Sequence, residues 1–244
     1  MRLYYDLHIH SCLSPCGDND MTPHNILNMA RLLELDVIAL TDHNSCGNCA
    51  AICAAAAGSG LVVLSGMELC TAEEAHIVCL FPTPEQAAAF DRLVAPTRPP
   101  VANRPEIFGE QLRMNAADEP SGIEEILLTT ASSISVEEVL PLARSVGGTA
   151  FPAHIDRPSY SVTAALGDIP PVGFAAAEIT AAGDVPALLA RYPLLNGLPL
   201  LQNSDAHYLH TMQERGPWLE LPDGAPETVI AALDGRLPCG WGRT

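Results

Sequence analysis

The chain contains 244 residues, of which 48% are hydrophobic, so it is not intrinsically disordered and can bury one large core. Its formal net charge is −17, because 29 acidic residues outnumber 12 basic ones, and every basic residue is an arginine. Since no stripe of basic residues can neutralise a phosphate backbone, the composition argues against a nucleic-acid polymer and favours a small phosphorylated substrate.

No signal peptide is expected, because Asp6 and His8 interrupt the first apolar run. No segment reaches the roughly 18–20 strongly apolar residues of a membrane helix, so we expect a soluble cytoplasmic protein without membrane contacts. The eight cysteines are expected to be free, because a large chain without a secretion signal does not depend on disulfides. Cys46, Cys49 and Cys53 have a metal-like spacing, but we favour small buried hydrophobes on one helix face.

Strand-like and helix-like segments alternate from the N-terminus. An extended run over residues 3–9 precedes Thr22 and Pro23, which are typical of a helix start, and the amphipathic helix is predicted to reach Glu34. Val37–Leu40 reads as a strand buried on both faces, and an alanine-rich helix follows it.

The same alternation continues to the C-terminus. Thr83 and Ser135 begin capping boxes that predict two helices, and a last helix is expected over residues 226–233. The remaining predicted strands cover residues 61–64, 76–81, 149–152, 176–180, 199–202 and 218–221. Strands that alternate with helices predict βαβ units and a mainly parallel sheet.

Between residues 95 and 122 this pattern stops, and prolines and acidic residues become frequent. An insertion of this length inside a domain is either a functional lid or a mobile loop, and we favour a lid over the active site. No linker divides the chain, so we expect a single domain over residues 1–244.

Six of the eight histidines lie in short clusters, most of them with a carboxylate, where hydrophobic runs stop or start. His8 and His10 are two residues apart on one strand and therefore project to one face, and the same holds for Asp205 and His207. Imidazoles and carboxylates that converge from the ends of separate strands build multi-metal pockets. The clusters are Asp6-Leu7-His8-Ile9-His10, Thr41-Asp42-His43-Asn44, Gly66-Met67-Glu68, His76, Ala153-His154 and Ser204-Asp205-Ala206-His207.

This set of clusters resembles the PHP superfamily, named for its presence in bacterial DNA polymerases and histidinol phosphatase. The resemblance extends over residues 3–209, with residues 95–122 outside it. It implies an α/β fold, a distorted (β/α)7 TIM-like barrel, that holds two or three divalent metal ions and hydrolyses phosphoesters. Zinc, manganese or iron are expected in preference to magnesium.

The resemblance also implies three groups of metal ligands. They are His8, His10, Glu68 and Asp205 for the first site, Glu68, His76 and His154 for the second, with Glu68 bridging, and His43 and His207 for the third. The family usually places a further histidine or aspartate where this chain has Pro15 and Cys16. We prefer Asp18 as the replacement, and Asp20 and Cys16 are the alternatives.

The expected chemistry follows from the metals. Two cations about 3.5–4 Å apart can share a hydroxide that attacks phosphorus in line. The candidate catalytic residues are Glu68, Asp42 and Arg157. Arg157 is the candidate phosphate clamp, because a guanidinium matches phosphate bidentately. Asp42 is expected to orient His43 or a metal-bound water.

Two other functions stay open at this point. A barrel metallohydrolase can activate water against a different bond, such as a cyclic amide. The chain could also be a metal-binding regulatory or scaffold domain without turnover, and the altered position at Pro15 and Cys16 is the feature that favours this.

Overall fold

The computed structural model of the chain describes residues 1–243. In this part of the chain the strands are β1 (Arg2–Ile9), β2 (Val37–Leu40), β3 (Val62–Cys70), β4 (His76–Phe81), β5 (Leu112–Met114), β6 (Pro120–Ile123), β7 (Thr149–Pro152), β8 (Ala177–Ile179), β9 (Leu200–Gln202), β10 (Pro217–Glu220) and β11 (Gly240–Arg243). Seven of them form one curled sheet in the order β11-β10-β1-β2-β3-β4-β7.

The sheet is mixed, so the prediction of a mainly parallel sheet was wrong in part. β1, β2 and β3 are parallel neighbours, whereas β4 is antiparallel to both β3 and β7, and β10 is antiparallel to both β1 and β11. The connection from Cys70 to His76 is too short for a crossover, and so short a connection joins only antiparallel strands. This hairpin brings the first residue of β4 to the edge where β1 and β2 end.

β8 and β9 form a separate parallel pair between β7 and β1. Ile155 N donates to Glu178 O at 2.8 Å on one side, and His10 N donates to Ala206 O at 2.9 Å on the other. In residues 1–243 these are isolated hydrogen bonds and do not extend into continuous strand pairing. The structure therefore shows a mixed α/β fold with a curled seven-stranded sheet, and the closure of the expected distorted (β/α)7 barrel stays a prediction.

The helices over residues 23–32, 49–55 and 84–94 pack on one face of this sheet, and the last helix, over residues 226–233, packs on the opposite face. The Thr83 hydroxyl accepts a hydrogen bond from Gln86 N, and Ser135 and Glu138 form a complete capping box, which confirms both predicted helix starts. The described helices are α1 (Pro23–Leu32), α2 (Cys49–Ala55), α3 (Pro84–Val94), α4 (Pro105–Phe108), α5 (Val136–Ser145), α6 (Val162–Leu166), α7 (Val185–Arg191) and α8 (Pro226–Leu233).

The hydrophobic core lies between the curled sheet and these helices. Phe81 of β4 and Phe90 of α3 are fully buried and their ring centroids lie 4.9 Å apart, so this pair fixes α3 against the sheet. A second group of buried side chains joins α8 to β1 and β2, and a third joins α1 and α2 to the outer face of β2. Among the described residues, no helix has the length and apolar character that crossing a membrane requires.

Residues 95–122 form a short helical turn, α4 and the first part of the β5–β6 hairpin. Leu112 N donates to Cys12 O at 2.8 Å, and Met114 N donates to the Asn48 side-chain oxygen at 2.8 Å. The segment therefore packs on the loops that follow β1 and β2, next to the histidine clusters. Its function as a lid stays a prediction.

We expect Phe90→Ala to lower the free energy of unfolding by about 3–5 kcal/mol, because it leaves a cavity against Phe81. Leu93→Ala, on the exposed side of the same helix, should change it by no more than about 0.5 kcal/mol. Urea denaturation of both variants measures the difference. Equal losses would show that α3 is not anchored through Phe90.

Candidate metal centre

The histidine clusters meet at one edge of the curled sheet. His8 and His10 lie at the end of β1, and His43 follows β2, which is parallel to β1. Glu68 lies within β3, where its backbone pairs with His43 in an isolated bridge. His76 begins the antiparallel strand β4 and so reaches the same edge from the opposite direction.

The last three predicted ligands come from the loops after β7 and β9. His154 and Asp205 both have positive φ angles, 28° and 51°, so each turns sharply out of its strand end. Such conformations are costly for residues other than glycine, and they are characteristic of functional sites. The turns direct both side chains toward Glu68 and β1.

Glu68 is the centre of the cluster. The carboxylate is 1% exposed and every imidazole within reach faces one of its two oxygens. The distances from Oε1 are 2.8 Å to His76 Nδ1, 3.2 Å to His154 Nε2 and 3.3 Å to His8 Nε2, and those from Oε2 are 2.9 Å to His43 Nδ1 and 3.4 Å to His10 Nε2.

Asp205 is the second carboxylate of the cluster. Its Oδ1 lies 3.1 Å from His10 Nε2 and 3.3 Å from His8 Nε2, and its Oδ2 accepts a hydrogen bond from Arg157 Nη1 at 2.6 Å. The ring of His207 stacks on that of His10 with centroids 4.1 Å apart. All these side chains are therefore drawn into one continuous cluster.

The donor atoms form three overlapping groups in which every pair lies within 4.8 Å. The groups are His8, His10, Glu68 and Asp205; His43, Glu68 and His76; and His10, His43 and His207. Among the described residues, the buried atoms His43 Nδ1 and Glu68 Oε2 lie 2.9 Å apart without hydrogen-bond geometry, and the buried His154 Nδ1 has no hydrogen-bond partner. A buried polar atom without such a bond is costly unless something else satisfies it. Mixed imidazole and carboxylate donors suit divalent cations such as zinc, and the residues present fit that group.

Hydrogen bonds behind the cluster orient the two histidines of β1. His8 Nδ1 lies 2.9 Å from Glu178 Oε2, and His10 Nδ1 lies 2.9 Å from the Ser14 hydroxyl, which donates to Asp42. A proton on each Nδ1 leaves each Nε2 free to face Glu68 and Asp205, as is usual for histidines that bind metals.

Glu178 is a site residue that the sequence analysis missed. It is buried in β8 and accepts hydrogen bonds from the His8 ring, from His154 N at 3.0 Å and from the Asn203 amide at 2.7 Å. The available signal was a carboxylate inside the apolar run over residues 176–180. A buried glutamate needs partners, and here the partners are two predicted ligands and their neighbour.

Asp42 lies away from the position expected for it. Its Oδ1 accepts hydrogen bonds from Ser11 N and the Ser14 hydroxyl, both at 2.7 Å, and its Oδ2 accepts one from the Ser11 hydroxyl. It thus acts on His10 through Ser14, and not directly on the His43 ring. The catalytic role of Asp42 stays a prediction.

Asp18 lies outside all three donor groups, and its carboxylate accepts a hydrogen bond from Asp20 N at 2.8 Å. Cys16 is exposed and contacts His43, where its hydrogen bond contributes to the raised pKa of that histidine. The contacts therefore favour Cys16 over Asp18 beside the third group, although the ligand at this position stays a prediction.

Carboxylates control the protonation of the cluster. Burial by itself would lower the pKa of His10 and His43, but Glu68 acts on both and Asp205 on His10, and these carboxylates raise each pKa to about 9. Burial would raise the pKa of Glu68, but imidazoles such as His76 hold it well below its usual range. Protons on His10 and His43 thus balance part of the carboxylate charge, whereas burial lowers the pKa of His207 to about 3.

A cavity of about 270 Å³ opens onto the cluster, and we call it the metal pocket. Arg157 lines it beside Asp205, and the ring of Tyr160 stacks on His76 with centroids 4.9 Å apart. Ser159 and Thr129 also line it. The pocket places a guanidinium next to the converging donor atoms.

The chain matches the PHP domain over residues 6–128, which is half of its length, and it belongs to the PHP domain family. The matched region includes His8, His10, His43, Glu68 and His76, and the other predicted ligands follow it. Family and site together define a metal-dependent hydrolase.

Several solved structures share the fold, whereas a search of curated proteins finds no match. Endonuclease Q, in complex with a 27-mer duplex substrate that has an abasic lesion at the active site, gives a TM-score of 0.71 with 20% identity over 98% of this chain and 58% of that chain. The lesion-specific endonuclease Q of Pyrococcus furiosus gives a TM-score of 0.65 with 18% identity, over 99% of this chain and 58% of that chain. A proposed metal-dependent phosphoesterase from Bifidobacterium adolescentis gives a TM-score of 0.58 with 18% identity, over 83% of this chain and 87% of that chain. At these identities the likeness shows the fold, and the chain spans 58% of the endonuclease Q chains.

One prediction needs correction. The net charge of −17 argued for a small phosphorylated substrate and against a nucleic-acid polymer, but a protein with this fold is solved with a DNA duplex at its active site. The argument was wrong because net charge averages over the whole surface. Binding depends on the local field, which bound cations and single arginines can invert.

We expect Glu178→Gln to weaken Mn²⁺ binding by about 10–100-fold. The neutral amide would accept a weaker hydrogen bond from His8 Nδ1 than the carboxylate does, and the His8 ring would be oriented less firmly. Competition against a metal-binding dye measures the change. Glu227→Gln, at an exposed position on α8, is the matched control and should bind normally. Equal affinities of the two variants would contradict a supporting role for Glu178.

Metal affinity should also depend on pH. With pKa values near 9, His10 and His43 carry protons at neutral pH and must release them before they bind a cation. Between about pH 6 and about pH 9 the affinity should rise by up to about tenfold per pH unit for each proton displaced. Dye competition at several pH values, with proton release followed in weak buffer, tests this. A flat profile without proton release would contradict it.

Proposed function

We propose that this hydrolase cleaves a phosphoester in the metal pocket by attack of water. The observation that carries the proposal is the convergence of the buried Glu68, the mostly buried Asp205 and six imidazoles beside a guanidinium. Arg157 is held by Asp205, and its remaining N–H donors can bind phosphate oxygens.

The distances support a division of the donors among two or three cations. Glu68 offers one oxygen to the side of His76 and His154 and the other to the side of His10 and His43, which suits a bridging ligand. Since the Nδ1 of His10 is bound to Ser14, only its Nε2 is available, and His10 can serve only one cation.

His8, His10, Glu68 and Asp205 would then hold the first cation. Glu68, His76 and His154 would hold the second, and His43 and His207 the third. Divalent cations supply Lewis-acid activation of water and neutralise phosphate charge. The protein residues bind the phosphate through Arg157, and no serine or cysteine nucleophile is required.

For the substrate, we propose a phosphodiester that belongs to a nucleotide. The similarity to endonuclease Q, which is solved with a DNA duplex, favours this class. The 58% coverage leaves part of that protein without a counterpart here, so a small nucleotide ester is the appropriate first probe. We also propose that β8 and β9 close the distorted barrel, because single hydrogen bonds join them to the segments after β7 and β1.

The test is hydrolysis of p-nitrophenyl phosphate and bis(p-nitrophenyl) phosphate by protein loaded with Mn²⁺ or Zn²⁺. Glu68→Ala and His8→Ala should each reduce kcat/KM by more than about a hundredfold. Loss of a residue that only supports a metal ligand already costs about 10–100-fold in activity, and these two residues are proposed as ligands themselves. Metal analysis shows whether the variants also lose cations.

Glu227→Ala is the control and should keep full activity. Hydrolysis that survives both metal chelation and the loss of Glu68 would refute the proposal. So would full metal occupancy with no release of nitrophenol or phosphate from either compound.

A further inference from the structure

A groove of about 740 Å³ lies next to the metal pocket, and Arg157 lines both cavities. The metal pocket, at about 270 Å³, is smaller than the roughly 300–1,000 Å³ of most ligand sites. It can hold the reacting phosphate and little more. The rest of a nucleotide substrate must lie outside it, and the groove is the larger space beyond Arg157.

The loop after β7 is the wall between the two cavities. Its metal-pocket side carries Ser159 and Tyr160, and its groove side carries Asp156 and Pro158. The Ser161 hydroxyl donates to Arg157 O at 2.7 Å, and His76 N donates to Tyr160 O at 2.9 Å. These bonds attach the loop to the site, so the relative position of the cavities is defined.

The groove has an apolar floor with the buried Ile155 and Tyr192 and the half-buried Leu188. Such a surface suits the face of a sugar and base, which are largely apolar above and below their polar edges. Arg191 lies at the rim, exposed on the last turn of α7.

The groove is lined by two arginines, Arg157 and Arg191, and by two aspartates, Asp156 and Asp184. Both oxygens of Asp156 already accept hydrogen bonds from Thr180, and Asp184 accepts one from Ala187 N at 3.1 Å. Arg191 lies over the Tyr192 ring at 5.2 Å and, among residues 1–243, is not one of the arginines that form an ion pair with a carboxylate. Both carboxylates of the groove thus have hydrogen-bond donors of their own, and the exposed guanidinium of Arg191 has N–H donors that can bind a phosphate.

We propose that the groove binds the nucleoside attached to the scissile phosphate and that Arg191 binds the next phosphate along the strand. This rests on the proposed phosphodiester hydrolysis and assigns a subsite to it. The substrate would cross from the metal pocket over Arg157 into the groove. Arg191 would add one charged contact to those of the metal pocket, so the second phosphate can be bound without a basic surface on this acidic chain.

Three diesters with the same scissile bond and leaving group test the proposal on the metal-loaded protein. They are methyl p-nitrophenyl phosphate, thymidine 5′-(p-nitrophenyl phosphate) and its 3′-phosphorylated derivative. The kcat/KM of the unchanged protein should increase in that order. Arg191→Ala should reduce kcat/KM by about tenfold for the 3′-phosphorylated diester only, as expected for one charged hydrogen bond.

Ala187→Trp, which fills the groove, should impair both thymidine diesters and leave the methyl diester unaffected. Arg92→Ala is the matched control, because Arg92 is exposed on α3 and lines neither cavity. Thermal unfolding confirms that the variants are folded.

Equal cleavage of the three diesters, or an equal effect of Arg191→Ala on all of them, would overturn the groove assignment and leave phosphoester hydrolysis intact. If no diester is cleaved, the proposed function fails, and calorimetric binding of thymidine 3′,5′-bisphosphate decides the groove separately. Binding that weakens in Arg191→Ala but not in Arg92→Ala supports it. Absent binding, or equal binding to both variants, rejects it.

Discussion

The structure depends on the burial of one carboxylate, Glu68, among imidazoles that come from four separate segments. A buried carboxylate is destabilising unless it is paired, so the ends of these segments have to converge on it. Gly66 makes this approach possible. A Cβ at that position would lie 2.8 Å from Cys79 O and 2.9 Å from a Thr41 methyl, on the strands to either side. Without a side chain there, β3 can lie close to both neighbours and present Glu68 at their shared edge.

A second layer of polar residues supports this centre. Glu178 joins His8 to the backbone of His154, and Ser14 connects His10 to Asp42. These hydrogen bonds hold the rings of His8 and His10 in one orientation, with Nε2 toward the carboxylates that would bind a cation with them. This layer uses residues from β8 and from the loops after β1 and β2, so the site and the fold are stabilised by the same contacts.

The net charge of this protein is negative, whereas its two neighbouring cavities contain positively charged side chains. The chain as a whole is acidic, yet four imidazoles and Arg157 line the metal pocket, and the adjoining groove carries Arg191. Asp205 links these features, because it faces the first donor group with one oxygen and holds Arg157 with the other. A substrate with several phosphates would meet a local field quite different from the average.

The sequence alone determined the chemical nature of the site and several local structures. Residue type and short spacing indicated that His8, His10 and the other clusters could bind metals, and the capping residues Thr83 and Ser135 marked helix starts. Tertiary structure decided the antiparallel direction of β4, the contact of Glu178 with His8 across 170 positions of the chain, and the place of Asp18 outside the donor groups. It also created the groove at Arg191. Caps and strand periodicity are encoded within a few residues, whereas strand order and contacts between distant segments arise only when the whole chain packs.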